Sequence, residues 1–152
     1  MDHYNRKNFT VTQSMGFMLS KSRNLVAADM DTALKDLGVT SQQMGIFLSL
    51  ARGLARTPFE LSKLLAIDSG LMTRMLDKLE SQDLLTRNRS DEDRRVFHLE
   101  LTDEGLAIAE KISDIAPQVL NRRLRRFSKT EFTELKRLLT KFIGESQDGE
   151  PT

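Results

Sequence analysis

The sequence predicts a mainly α-helical fold with one small β-hairpin. Apolar residues recur at helical spacing along most of the 152 residues, and the repeat changes from 3.6 to 2 residues only after Asp83. Helix-capping sequences interrupt the helical part at several points and divide it into separate helices. The predicted order is helix, helix, a pair of helices joined by a tight turn, hairpin, helix, helix.

The first helix is predicted over Val11–Leu37, where apolar residues fall on one face of a helix. Gly38 follows at the position where a helix end favours a residue with positive φ. Thr40 and Gln43 then form a capping box, in which each side chain binds the backbone N–H of the other residue. A second helix therefore begins at this point.

The next two helices are separated by a very short turn. A second capping box, Thr57–Glu60, opens a helix with Pro58 at its first position. Its expected buried side consists of Leu61, Leu64 and Leu65. Asp68 or Ser69 can cap the following helix. The apolar residues of that helix recur at i, i+3, i+4 and i+7: Met72, Met75, Leu76 and Leu79. Two helices joined in this way indicate a helix-turn-helix.

A β-hairpin is predicted directly after this pair of helices. Val96–Leu101 alternates between apolar and polar residues, and Leu84–Arg89 can pair with it antiparallel. The polar segment Ser90–Arg94 forms the tip. Phe97, Leu99 and Leu101 are expected to face the same side. A hairpin in this place is a wing, so residues 40–101 are predicted to form a winged helix-turn-helix lobe.

Two further helices complete the chain. Thr102 caps a long helix that Pro117 is expected to kink, and a third capping box, Ser128–Glu131, opens the last helix. Residues 1–39 and 102–143 are predicted to be dimerisation helices, and residues 144–152 a flexible tail. A single chain offers these broad apolar faces little core, so a two-fold homodimer is expected.

The composition is that of a soluble globular protein, with 39% apolar and 30% charged residues. No stretch approaches the roughly 18 apolar residues of a membrane span, and the N-terminus lacks the apolar run of a signal peptide. We therefore expect a cytoplasmic protein with no membrane partner. The absence of cysteine excludes disulfides, thiol-based redox sensing and cysteine zinc sites. The net charge of +1 does not by itself favour a nucleic-acid binder.

The similarity to a known family lies in four segments: Glu60–Leu65, Thr73–Glu80, Asp91–Arg95 and Leu101–Gly105. In this order they resemble the MarR family of bacterial transcriptional regulators, and the resemblance extends over nearly the whole chain. The wing segment followed by Leu-Thr-x-x-Gly is its more specific part. The resemblance implies homodimers that bind pseudo-palindromic promoter DNA. Such regulators are often repressors that small aromatic or phenolic acids release.

Candidate DNA-contacting residues lie on the second helix of the helix-turn-helix. Ser69, Gly70 and Thr73 are short enough to let the backbone approach a major groove. Arg74 can reach guanine O6 and N7, and Lys78 is better placed for a phosphate. We expect Asp77 to serve a structural pairing. The alternative is that these residues form an ordinary solvated face.

The wing carries four more candidates: Arg87, Arg89, Arg94 and Arg95. The resemblance implies that Asp93 orients Arg95 for insertion into the minor groove, whose narrow form attracts arginine. The alternative is a tip charged only for solubility. From Thr57 to Arg95 there are seven basic and eight acidic residues, so binding requires the basic ones to be segregated on the recognition helix and the wing.

A second basic run, Arg122–Arg126, precedes the last helix. In the family arrangement this region lies at the dimerisation end, away from the duplex. We favour pairing between subunits or with acidic residues of the tail over DNA contact. The acidic residues of the tail that could pair with this run are Glu145, Asp148 and Glu150.

A small aromatic acid effector is a further hypothesis, from the resemblance and from a methionine- and phenylalanine-rich surface. Its candidate contacts are Met15, Met18, Met44, Phe47 and Phe59, with Arg23 for the carboxylate. The alternative is that they are plain core residues. No catalytic residue, metal site or cofactor is predicted, since the chain has two histidines, no cysteine and no phosphate-binding glycine loop. The rival function is a winged-helix adaptor that binds protein.

Overall fold

The computed structural model describes residues 1–90 and 95–144. These residues form six α-helices and a two-stranded antiparallel sheet, in the predicted order. The helices are α1 Met15–Leu34, α2 Ser41–Ala51, α3 Pro58–Leu64, α4 Ser69–Ser81, α5 Asp103–Leu124 and α6 Lys129–Ile143. The strands are β1 Leu85–Arg89 and β2 Phe97–Leu101. The mainly α-helical fold with a hairpin wing is therefore confirmed.

The predicted capping residues begin their helices as expected. Thr40, Thr57 and Ser128 each form a complete capping box with the residue three positions on. Asp68 caps α4 by accepting a hydrogen bond from the Leu71 amide, and Thr102 caps α5 in the same way. These contacts depend on neighbours in the sequence only, which is why the pattern alone locates them.

The first helix is shorter than predicted. Ser14 accepts a hydrogen bond from the Phe17 amide and caps α1, while Val11–Gln13 form a separate 3₁₀ turn. A second 3₁₀ turn, Lys35–Leu37, leads to Gly38, whose φ of +67° confirms the predicted left-handed helix end. The helix α5 continues through Pro117 to Leu124.

The core lies where α1, α2 and α5 meet the helix-turn-helix and the base of the wing. Phe47, Leu61 and Ile112 are fully buried there, and the four predicted core residues of α4 are buried beside them. One predicted core residue is wrong: Leu64 is 50% exposed, since Leu61 and Leu65 form the side of α3 that packs against the core. The helix α6 has no buried residue in the single chain.

The hairpin has the predicted pairing, with Leu85 opposite Leu101 and Arg89 opposite Phe97. Its base is tied to the body, since the Leu99 amide donates a hydrogen bond of 2.7 Å to the Arg56 carbonyl. Leu99 is buried, whereas Phe97 is farther from the body and remains partly exposed.

The end of the wing is joined to the start of α5 by a compact set of backbone contacts. The Thr102 amide donates to the Leu84 carbonyl at 3.1 Å, and the Thr102 hydroxyl donates to the Asp83 carbonyl at 2.7 Å. Gly105 lies so close to this strand end that a Cβ at its position would overlap the Leu84 carbonyl oxygen. In the described parts of the chain, no helix has the length and apolar character needed to traverse a lipid bilayer.

Candidate nucleic-acid interface

The helix α4 has a buried face and a fully exposed face. The exposed face carries every recognition-helix residue that the sequence singled out: Ser69, Gly70, Thr73, Arg74 and Lys78. The apolar face is held by the core, so the orientation of α4 is set by packing and not by these polar residues. The exposed face is therefore available to a partner.

The N-terminal turn of α4 has little side-chain bulk. Thr73 donates its hydroxyl to the Ser69 carbonyl at 2.9 Å, which keeps that side chain close to the helix. A Cβ at Gly70 would lie 3.7 Å from Arg74 Nη1 and 3.1 Å from Asp68 Oδ1. The guanidinium of Arg74 thus lies beside Gly70, where a larger residue would crowd it.

Arg87 of the wing contacts α4. Its guanidinium binds Asp77 Oδ1 at 2.6 Å and Glu80 Oε2 at 2.9 Å, and its side chain is 22% exposed. The structural pairing expected for Asp77 is thereby confirmed. Sequence reasoning missed Glu80, although its i, i+3 spacing from Asp77 puts both carboxylates on one side of α4. Direct contact of Arg87 with DNA stays a prediction, and the two ion pairs weigh against it.

The other wing residues lie farther out. The guanidinium of Arg89 is stacked over the Phe97 ring, 5.6 Å from its centroid. Arg95 is exposed just before β2. Asp93 and Arg94 fall outside the described residues, so the orientation of Arg95 by Asp93 stays a prediction.

The N-terminus of α3 is held by one carboxylate. Glu60 accepts hydrogen bonds from the Arg56 amide at 2.6 Å and the Thr57 amide at 3.1 Å. The pKa of Glu60 is lowered, chiefly by the hydrogen bond from the Arg56 backbone. Desolvation opposes this shift, and the hydrogen bonds from Thr57 add to it. Because the Arg56 carbonyl also accepts from Leu99, this segment connects α3 to the wing.

The basic run before α6 is partly paired within the chain. Arg123 binds Asp29 of α1 at 2.7 Å and donates to the Leu25 carbonyl at 3.2 Å. Arg123 is therefore paired with an acid of its own α1, which the sequence did not predict, because α5 packs along that helix. The tail acids Glu145, Asp148 and Glu150 lie outside the described residues, so their pairing stays a prediction.

Two of the six predicted effector residues line one cavity. Arg23 and Met44 border a space of about 280 Å³ between α1, the start of α2 and the turn Leu65–Ile67. The other four are elsewhere. Phe47 is fully buried in the core, Phe59 is 69% exposed on α3, and Met15 and Met18 are exposed on α1. The ammonium of Lys63 lies 5.5 Å from the Phe59 ring centroid.

A larger cavity of about 680 Å³, which sequence reasoning did not anticipate, lies between the end of α2 and β2. Arg52, Arg56 and His98 contribute its basic groups and Glu100 an acidic one. These residues come from two distant stretches of sequence, and no motif connects them. Among the described residues, no three His, Asp or Glu side chains cluster in a way that could hold a metal ion.

Comparison with known proteins identifies the family. A family model described as MarR family matches residues 37–96. The chain is also 33% identical to the organic hydroperoxide resistance transcriptional regulator of Bacillus subtilis over 122 residues, which is 80% of each protein. The chain belongs to the MarR family. With no cysteine in its sequence, this MarR-family chain cannot use a thiol as a sensor.

Comparison with a second MarR-family protein supports the same assignment. The multiple antibiotic resistance protein MarR of Escherichia coli is 32% identical over 111 residues, covering 72% of this chain and 77% of that protein. A crystal structure of a mutant of that MarR in complex with operator DNA superimposes with a TM-score of 0.80, at 26% identity, over 89% of this chain and 99% of that one. This MarR-family chain is a transcriptional regulator and not an enzyme.

Proposed function

We propose that this MarR-family regulator binds a pseudo-palindromic operator as a homodimer and represses transcription from the promoter that contains it. The observation that carries the proposal is the exposed face of α4, with Arg74 beside Gly70, next to a wing that presents further arginines. The similarity to an E. coli MarR solved with operator DNA supports it. We expect it to act in the cytoplasm, where promoter DNA is accessible to it.

In this proposal α4 lies in the major groove. Ser69, Gly70 and Thr73 let its N-terminal turn approach the bases, and Arg74 donates to guanine O6 and N7. Lys78 and Arg89 bind phosphates, while Arg95, with Asp93 and Arg94 nearby in sequence, enters the minor groove. Sequence preference then comes mainly from Arg74, and phosphate contacts add affinity that falls with salt.

The homodimer is proposed because α6 exposes a whole apolar face. Five large apolar side chains of this helix are more than one-third exposed in the single chain: Phe132, Leu138, Leu139, Phe142 and Ile143. Exposed apolar residues of α1 and α5 add to this surface, among them Met15, Phe17 and Leu120. We therefore assign residues 1–39 and 102–143 to dimerisation and residues 40–101 to reading DNA, with residues 144–152 as a tail.

The DNA-binding proposal is tested with Arg74→Ala. Loss of a bidentate contact to guanine is expected to weaken binding to the preferred duplex by about tenfold to a hundredfold and to relax the preference at one base pair. Fluorescence anisotropy with duplexes selected from a random pool, and with the chain's own upstream region, measures both effects. Lys78→Ala should weaken all duplexes equally and reduce the salt slope by about one.

The matched control is Arg52→Ala, which removes an exposed arginine at the end of α2 that is not among the proposed DNA contacts. It should bind the preferred duplex like the unmodified protein. Equal losses for Arg52→Ala and Arg74→Ala would contradict the proposed reading residue. Absence of binding to any duplex at low salt would remove the DNA-binding function and favour the protein-binding adaptor.

The proposed effector is a small aromatic or phenolic acid bound in the cavity between Arg23 and Met44. The Arg23 guanidinium can pair with a carboxylate, and Met44 and Leu65 offer apolar surface to a ring. The cavity borders the turn Leu65–Ile67, where Ala66 has a φ of +50° and leads into Asp68, the cap of α4. A ligand there could shift α4 and so release the operator.

We expect Arg23→Gln to weaken the binding of benzoate and hydroxybenzoates by about tenfold or more, since one charge-assisted contact is lost. Isothermal titration calorimetry measures the change, with benzamide as the uncharged ligand control and Arg52→Gln as the control variant. Unchanged affinity in Arg23→Gln would place the carboxylate elsewhere. If no member of the panel binds, the effector is abandoned while the DNA-binding function stands.

A further inference from the structure

The joint between the wing and α4 contains one arginine held by two acids. Arg87 Nη2 binds Asp77 Oδ1 at 2.6 Å and Nη1 binds Glu80 Oε2 at 2.9 Å. The two carboxylates are 56% and 41% exposed, whereas the Arg87 side chain is only 22% exposed. Arg87 is thus the most buried of the three residues, and both of its terminal nitrogens are bonded to a carboxylate.

The packing of the wing on its neighbours sets its angle to α4. A two-stranded hairpin is only marginally stable alone and takes its orientation from what it packs on. The connection from α4 to β1 turns sharply, with Asp83 at a φ of +56° and the Leu84 amide bonded to the Leu79 carbonyl. On the other side, Leu99 is bonded to the Arg56 carbonyl. The Arg87 pairs join the strand directly to the face of α4.

Charge also argues against Arg87 as a phosphate contact. To reach a phosphate it would have to leave Asp77 and Glu80, and two unpaired carboxylates would then stand on the helix that enters the groove. In its observed place Arg87 neutralises half of that negative charge. An isolated exposed ion pair contributes little to stability. A partly buried guanidinium that binds two carboxylates, however, fixes the relative positions of the groups that it joins.

We propose that Arg87 is a positioning residue, which holds the wing against α4 through Asp77 and Glu80 and makes no contact with DNA itself. The inference rests on the proposed DNA-binding function. Its consequence is that Arg89 and Arg95 reach the duplex in register with Arg74 only while the triad of Arg87, Asp77 and Glu80 is intact.

The experiment is a double-mutant cycle in DNA binding over a range of salt concentrations. We expect Arg87→Gln to weaken binding to the selected duplex by about fivefold without changing the salt slope. The pair Asp77→Asn with Glu80→Gln should weaken it similarly, although it removes two negative charges near the DNA. The triple variant should bind no worse than Arg87→Gln, since all three residues act as a unit.

Two controls separate positioning from general electrostatics. Glu100→Gln removes a wing carboxylate that contacts Asn88 at 3.3 Å and lies outside the triad, so it measures the gain from lost repulsion alone. Arg89→Gln removes an arginine from the same strand and should reduce the salt slope by about one. Two results together would show that Arg87 contacts a phosphate and would overturn the inference. Arg87→Gln would reduce the salt slope as much as Arg89→Gln does, and the variant with Asp77→Asn and Glu80→Gln would bind DNA more tightly than Glu100→Gln.

Amide hydrogen exchange without DNA provides a separate readout. Arg87→Gln should accelerate exchange in β1 and β2, while Lys78→Gln, on the exposed face of α4 and outside the triad, should leave it unchanged. Unaltered strand exchange in Arg87→Gln would overturn the positioning role even if DNA binding is weakened. Accelerated exchange in a protein that binds no duplex would instead show that the joint exists and that the proposed function has failed.

Discussion

Replacing Leu139 with glutamate is expected to convert the proposed homodimer into monomers and to weaken operator binding by about a hundredfold or more, because the two half-sites no longer bind together. Leu139 lies near the centre of the apolar face of α6, a helix with no buried residue in the single chain. In a two-fold interface the substitution places two unpaired carboxylates in an apolar contact, at several kcal/mol each.

The matched control is Thr133→Glu, which adds the same charge to the polar side of the same helix. Thr133 is exposed and donates only to the Lys129 carbonyl within α6. Analytical ultracentrifugation measures the assembly state and anisotropy measures operator binding. A Leu139→Glu protein that remains dimeric would show that α6 is not the interface. Equal effects of both variants would show that the added charge destabilises the helix α6 and does not act at an interface.

Gly105→Ala is expected to destabilise the protein by about 2–4 kcal/mol, by forcing apart two backbone segments that cannot adjust like side chains. A Cβ at Gly105 would overlap the Leu84 carbonyl oxygen, which also accepts a hydrogen bond from the Thr102 amide. The substitution therefore disturbs the joint between the wing and α5. Urea denaturation of the unmodified protein and of Gly105→Ala measures the difference in the free energy of unfolding.

Gly16→Ala controls for the general effect of removing a glycine. Gly16 lies in the first turn of α1 with no atom within 4 Å of its prospective Cβ. Alanine there should leave the stability unchanged or raise it by about 0.5 kcal/mol. Similar stability of the Gly105→Ala protein and the unmodified protein would contradict the close approach at Leu84.

The Leu-Thr-x-x-Gly segment illustrates how motif and structure complement each other. The sequence identified Thr102 as a cap, and the motif singled out Gly105 without a physical reason. The structure supplies that reason, since the Thr102 hydroxyl donates to the Asp83 carbonyl while Gly105 packs against Leu84. Both contacts join α5 to the segment before the wing, across about twenty residues that local patterns do not span.

The effector hypothesis shows the limit of composition-based reasoning. Methionine and phenylalanine at helical spacing predicted one apolar surface, but burial separates them: Phe47 belongs to the core, whereas Phe59 lies on the exposed side of α3. Of the six candidates, Arg23 and Met44 line the same cavity. Helical spacing reports which face a residue occupies and not which neighbour covers that face.

The sequence by itself determined the order of the elements, the ends of most helices and the pairing of the hairpin. Capping boxes, left-handed glycines and the change of apolar period act between residues a few positions apart, so they can be read along the chain. The tertiary structure alone decided the pairing of Arg87 with α4, the pairing of Arg123 with Asp29 and the contact of Gly105 with Leu84. These depend on the relative placement of packed elements, which no local interaction specifies.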